Sequence, residues 1–383
     1  MTPKTFLTNQ ALCVLPWHGV YIQPDGEVGN CAITKKPLGN INTDSLENIL
    51  HNDINVDTKR SMLAGVKPAQ CSACHNLEAN QKTHFDQVSN RVWYIKILKK
   101  NDLSFFDDPE NYKLRILDLR WHNTCNFACV YCGPDLSSQW AVELNQPQKI
   151  NKHAFDQSLA YIDSKLDQVE HVYLAGGEPL LIKENIKLLN KLYEINPNIE
   201  IRINTNLGII NNTIYNLLKK FNNVHWTVSV DNIGAEFEYV RYGGKWNVFV
   251  DNLKQLSSEF TTINFNLVWF MLNYKSIFDC IDYLLDMGFH ENTYIVNILE
   301  SPDHLNILNL PQFMIDQIKL TLQEKIKQYN SSYALHNSLS MMLSRLEQPY
   351  IKNTKPLLHY LAELDQRRQL DSRSIFPELY SML

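Results

Sequence analysis

No uninterrupted apolar run in this 383-residue chain approaches the roughly 18 residues that a membrane-spanning helix requires. Residues 1–14 lack a cationic start followed by an apolar core, so no secretory signal is expected there, and the cytoplasm is the expected address. No basic block occurs and the formal net charge is −5. A protein that grips a nucleic-acid backbone by counterion release is therefore disfavoured, and nucleic acid is an unexpected partner. No repeat is visible. Stray cysteine is scarce: of eight, seven fall into two groups and only Cys280 lies outside them. In a reducing compartment such grouping points to metal ligation rather than disulfides.

What is present describes a folded protein, 44% hydrophobic and 20% charged, long enough for a catalytic domain of ~200 residues, a smaller domain and a tail. Residues 1–85 contain YIQPDGEVGNC, a strand, a Pro24-Asp25-Gly26 turn and a second strand. The spacing of Leu46, Ile49, Leu50, Met62 and Leu63 predicts one or two short helices. Residues 86–112 read as a helical connector ending in an Asp-rich loop. From 113 to 300 short apolar runs alternate with helical stretches, at 114–121, 171–176, 199–205, 223–230, 262–270 and 292–299. Six strands with helical crossovers predict an α/β fold with a parallel sheet, open or partly closed into a barrel. Residues 301–383 read as a helical extension, with segments near 311–328, 334–347 and 353–366.

The segment HNTCNFACVYCGP sets Cys125, Cys129 and Cys132 directly after the first of these strands, where parallel α/β folds place their sites. Three thiolates on a four-iron cube leave one iron open to a cosubstrate. The competing reading is zinc, with His122 as a fourth ligand. After the second strand comes AGGEP, in which Gly176 and Gly177 allow close backbone approach and Glu178 can receive an amino group.

The CX3CX2C and GGEP motifs together resemble the radical S-adenosylmethionine (SAM) superfamily, over about 113–300. The resemblance implies a partial (β/α)6 barrel and a SAM-binding [4Fe–4S] cluster on the three cysteines. NTNL, with Thr205, looks like the polar motif of the third strand, and SVD, with Ser229, resembles the segment near the SAM ribose. Arg241, in EYVRYGGKW, is similar to an arginine that meets the SAM carboxylate, for which a planar fork is suited. Tyr131 fills the position whose backbone faces adenine. The activity implied is reductive cleavage of SAM to a 5′-deoxyadenosyl radical that takes hydrogen from a substrate. A one-electron donor such as flavodoxin or ferredoxin is then needed.

Cys13, Cys31, Cys71 and Cys74 form a second, complete set of four, able to saturate an auxiliary [4Fe–4S] cluster or a zinc ion. Their surroundings, CVLPWHGVYIQPDGEVGNC, PLGNINTDSLENIL and CSAC, resemble Twitch modules, the one-cluster relatives of SPASM domains. Better-known members carry this module after the barrel; here it comes first. The resemblance favours a peptide or protein substrate, with a small metabolite such as an amino sugar as runner-up. A non-catalytic iron–sulfur or zinc scaffold and a tRNA-modifying enzyme are the rivals. Cys280 sits in an apolar helical pattern and is expected to be a core thiol.

Overall fold

The computed structural model describes residues 9–79, 89–97, 103–147, 152–210, 212–349 and 353–382. The predicted connector residues 86–88 and 98–102 lie outside the described residues. The chain forms two compact units, one of residues 1–124, 147–203 and 211–225 and one of residues 125–146, 204–210 and 226–383.

In the first unit the hairpin forms as its turn chemistry requires. Strand β1 (Gly19–Ile22) pairs antiparallel with β2 (Glu27–Gly29), and Gly26 between them takes a φ of +86°, which a side chain resists. A short β3 (Gly39–Asn40) pairs antiparallel with β2. The helices Leu46–Leu50 and Asp53–Leu63 follow, capped by the side chains of Ser45 and Asn52.

The hairpin, expected as a module on its own, also extends the main sheet. β1 pairs in parallel with β4 (Ile116–Leu119), from Gly19 opposite Ile116 to Ile22 opposite Leu119. All four residues of β1 are buried, so its apolar sides need partners on both flanks. One core cluster accordingly joins Leu12, Cys13, Trp17 and Met62 to Ile116 of β4. The order continues through β5 (His171–Leu174) to β6 (Glu200–Thr205), each parallel to its neighbour.

In the second unit β7 (Val224–Ser229, whose first two residues belong to the first unit), β8 (Ile263–Trp269) and β9 (Tyr294–Ile298) are parallel and sequential. All six strands fall inside the predicted segments. Within each unit the sheet neighbours from β4 onward are also sequence neighbours. That is the winding of a (β/α) barrel, not of a sheet that reverses direction. Burial alternates along β6 and β8: one face packs, and the other carries polar groups such as Glu200, Arg202 and Asn204.

Helices follow the strands with apolar residues at helical spacing, for example Leu188, Leu189 and Leu192 in Lys183–Ile195. Cys280 is fully buried in Ile277–Asp286. The extension forms Gln312–Gln328, Tyr333–Arg345 and Lys355–Arg368, then the shorter Ser372–Ile375 and Pro377–Met382. No helix among the described residues is long and apolar enough to cross a membrane.

Candidate functional site

In the second unit the backbone around Cys125, Cys129 and Cys132 is pinned almost residue by residue. The Cys125 N–H donates to Ser138 Oγ at 3.0 Å, the Ala128 N–H to the Tyr242 carbonyl and the Val130 N–H to the Val240 carbonyl, both at 2.8 Å. Trp140 Nε1 donates to the Cys129 carbonyl at 2.8 Å, and Tyr360 Oη to the Val130 carbonyl at 2.6 Å. None of the three thiols is in a disulfide. Cys125 Sγ accepts from the Phe127 N–H at 3.4 Å. Burial pushes the Cys129 thiol up to about 12 against the opposing pull of Arg241. Burial raises Cys132 as well, so without a metal Cys129 and Cys132 stay protonated at neutral pH, and a bound metal displaces their protons.

Beside them, Asp231 is a fully buried carboxylate. Its Oδ2 accepts from Tyr131 Oη at 2.6 Å and pairs with Arg241 Nη2 at 2.9 Å, and its Oδ1 accepts from the Val268 N–H at 2.7 Å. Burial works against the Arg241 charge, but Asp231, Tyr131 and Cys129 outweigh it and hold the guanidinium charged. Arg241 Nε is buried and has no hydrogen-bond partner. An orphan donor on a fixed guanidinium is what a ligand carboxylate would satisfy. Ser229 Oγ donates to Asn204 Oδ1 at 3.3 Å, and Thr205 Oγ1 accepts from the Leu207 N–H at 2.9 Å. The structure thus brings Tyr131 and Arg241 together through Asp231, with Thr205 and Ser229 at the ends of β6 and β7.

In the first unit the glycines serve the chain's own backbone. The Gly177 N–H donates to the His122 carbonyl at 3.2 Å, and the Glu178 N–H to the Thr124 carbonyl at 2.7 Å. A Cβ on Gly177 would stand 2.1 Å from the Thr124 oxygen, and Gly176 takes a φ of +111°. The GGE turn therefore fixes the three residues that lead into Cys125. Glu178 is fully buried, and its Oε1 accepts from the Leu180 N–H at 3.1 Å. His122, the fourth ligand of the zinc reading, has its Nε2 3.0 Å from Glu184.

Cys13, Cys31, Cys71 and Cys74 line one cavity of the first unit, with Met62 and Leu15 on its apolar side and Asn90 and Arg91 on its polar side. Four cysteine donors around one cavity fit a fully ligated cluster. Burial raises all four thiols, and neighbouring cysteines raise Cys13 and Cys71 further. Among the described residues no three His, Cys, Asp or Glu side chains are drawn in around a single ion.

Sequence reasoning passed over Asp231 as an organiser, and Trp140, Tyr360 and Asn90 altogether. Asp231 carried a signal, standing two residues after Ser229 in the strand-end motif; the other three carried none.

The model of the Radical SAM superfamily matches residues 119–284, and that of the SPASM iron-sulfur cluster-binding domain matches residues 13–76. Among curated proteins, a GTP 3',8-cyclase of Clostridium botulinum (strain Hall) is 28% identical over 170 residues, 42% of this chain and 49% of that protein. A GTP 3',8-cyclase of Sulfurimonas denitrificans is 27% identical over 124 residues, 31% of this chain and 35% of that protein. The chain thus spans half or less of the length of these relatives. Among solved structures, native anSMEcpe with bound AdoMet and Cp18Cys peptide is similar at a TM-score of 0.42 and 13% identity, over 57% of this chain and 61% of that one. Streptococcus suis SuiB bound to precursor peptide SuiA is similar at a TM-score of 0.41 and 17% identity, over 74% of this chain and 62% of that one.

Proposed function

We propose, on the premise that this chain is a radical SAM protein with an amino-terminal SPASM module, that it is an enzyme using SAM to abstract hydrogen from a peptide or protein substrate. Cys125, Cys129 and Cys132 would hold a [4Fe–4S] cluster which, with SAM bound, would supply the electron for reductive cleavage of the sulfonium. The observation that carries the reading is the buried Tyr131–Asp231–Arg241 network beside Cys129, with its unpartnered Arg241 Nε.

The chain's own residues have separable tasks. Arg241, fixed by Asp231, binds the SAM carboxylate through the nitrogens that Asp231 leaves available. By the same resemblance Glu178 receives the amino group, and Ser229 and Thr205 meet the ribose or nearby polar atoms. Gly176 and Gly177 hold the lead-in to Cys125. Cys13, Cys31, Cys71 and Cys74 would hold the auxiliary [4Fe–4S] cluster; full ligation leaves no iron for SAM, which suits electron transfer or support of the substrate pocket, and the former is favoured.

For the substrate, a polar row in the first unit supports a peptide over a nucleoside triphosphate, the substrate class suggested by the cyclase relatives. Tyr21, Asp118, Tyr173 and Arg202 lie in register across β1, β4, β5 and β6. Arg120 pairs with Asp118 at 3.1 Å and Arg202 with Glu200 at 2.9 Å. Each guanidinium is thus matched by a carboxylate two residues before it in the chain. A charge-balanced surface suits a zwitterionic peptide, whereas a triphosphate calls for an excess of positive charge.

Anaerobic iron and sulfide analysis tests this, comparing wild-type protein with the Cys125→Ala, Cys129→Ala, Cys132→Ala triple variant, each then assayed for 5′-deoxyadenosine with SAM and reductant. About eight irons falling to about four, with loss of turnover, is expected for two cubes. Zinc in place of iron, or no 5′-deoxyadenosine from iron-loaded wild type, would overturn the reading.

A further inference from the structure

The SPASM match ends at residue 76, yet the cavity of the four cysteines is also lined by Asn90 and Arg91, which lie beyond it. The helix Asn90–Ile97 begins at this cavity. Ser89 caps it, its Oγ accepting from the Val92 N–H at 3.2 Å. Asn90, the first residue of the helix, points its side-chain amide at the cysteines: Nδ2 donates to Cys31 Sγ at 3.5 Å. Burial raises the Cys74 thiol, and the Arg91 backbone and the Ser89 side chain pull it back down. The Arg91 side chain anchors this end of the helix, its Nε and Nη2 meeting the two Glu78 oxygens at 2.9 and 2.6 Å and its Nη1 the Leu12 carbonyl, one residue before Cys13, at 3.1 Å.

Cys31 Sγ therefore receives a hydrogen bond from a helix that the sequence presented as a connector. A donor aimed at a ligating sulfur draws negative charge off the cluster and favours its reduced, more negative state, which raises the reduction potential. A substitution at Asn90 removes its amide without disturbing the backbone.

We infer that the connector helix is part of the auxiliary cluster site, and that Asn90 is a positioning residue that sets the potential of this cluster through Cys31. The inference rests on the reading of Cys13, Cys31, Cys71 and Cys74 as iron–sulfur ligands. It assigns the segment after the module a redox role in passing electrons to or from the substrate.

The test is an EPR-monitored redox titration of the full chain in the Cys125→Ala, Cys129→Ala, Cys132→Ala background, in which the auxiliary cluster is the one cluster that can form. Asn90→Leu keeps the size and removes the donor; Asn90→Asp keeps the shape and replaces the donor with a negative acceptor. Both leave the Ser89 cap in place. The expected result is four irons per chain in every variant, with the midpoint shifted negative in Asn90→Leu by up to about tenfold in the reduced-to-oxidised ratio, 59 mV for one electron. Asn90→Asp is expected to shift it further. An unchanged midpoint with iron retained would sink the role of Asn90. Zinc or no metal at this site in the parent chain would instead remove the iron–sulfur reading beneath it, a result separate from any effect of Asn90. Should Asn90→Leu lose its iron, Asn90→Asp decides: an unshifted midpoint there counts against the inference.

Discussion

Tyr360 and Val130 are 230 positions apart in sequence, yet Tyr360 Oη donates to the Val130 carbonyl at 2.6 Å, directly after Cys129. The same helix, Lys355–Arg368, ends in Arg368, whose guanidinium lies 4.6 Å from the Trp140 ring and 4.4 Å from the Tyr242 ring and pairs with Glu143 at 3.0 Å. Trp140 in turn holds the Cys129 carbonyl. The carboxy-terminal extension therefore braces the cysteine loop at two points.

Tyr360→Phe leaves the Val130 carbonyl without this donor, a loss of about 1–3 kcal/mol for a buried acceptor. Reconstituted protein is expected to hold less iron on the Cys125, Cys129, Cys132 site and to keep its auxiliary iron. Iron analysis of Tyr360→Phe in the wild-type and triple-cysteine backgrounds separates the two. Equal iron loss in both backgrounds would mean that the helix does not brace this loop in particular.

Arg241→Lys keeps the charge but gives up the planar fork. SAM affinity is expected to fall roughly tenfold or more, the worth of one charge-assisted hydrogen bond, with little change in melting temperature. Asp231→Asn should act differently, because it leaves Arg241 charged, buried and unpaired, at a cost of roughly 3–5 kcal/mol of stability. Isothermal titration with SAM alongside thermal melts checks both halves.

Gly177→Ala would put a methyl group 2.1 Å from the Thr124 oxygen, a backbone atom that cannot swing aside. Gly133, just after Cys132, has nothing within 4 Å of a built Cβ and no positive φ. Gly177→Ala is expected to lose several-fold in soluble yield and most of the iron on the cysteine loop, and Gly133→Ala to lose neither. Yield and iron content after identical reconstitution decide it.

His18 gives a pH dependence of stability. Its Nδ1 lies 2.9 Å from the Lys113 carbonyl, and its Nε2 is buried without a partner. Burial lowers its pKa from 6.5 to about 4. The folded state therefore holds the ring neutral while the unfolded state takes up a proton below 6.5. The stabilisation is full above about pH 6.5 and drains away as pH falls toward 4, by about 3 kcal/mol in all. Denaturant melts at pH 7 and pH 4.5 should show a smaller pH difference in His18→Gln than in wild type. An identical difference would show that His18 does not govern acid stability.

The sequence by itself determined the local elements and the ligand types. The six strand runs, each bounded by helical stretches, could bury their apolar residues in few ways. The Pro24-Asp25-Gly26 turn specified its hairpin because Gly26 alone accepts the backbone angle there. The cysteine spacings named both candidate ligand sets. What only the tertiary structure decided is which distant groups meet. Nothing local says that β1 adds to β4 as well as to β2, because backbone pairing carries no address in side-chain type. Nothing local says that Gly177 packs against the Thr124 carbonyl, or that Asp231 joins both Tyr131 and Arg241. Tyr360 and Asn90 look like ordinary helical residues until folding brings them to the Val130 carbonyl and the Cys31 sulfur. Such contacts are set by how helices pack across long sequence separations, and residue type and periodicity do not encode that packing one residue at a time.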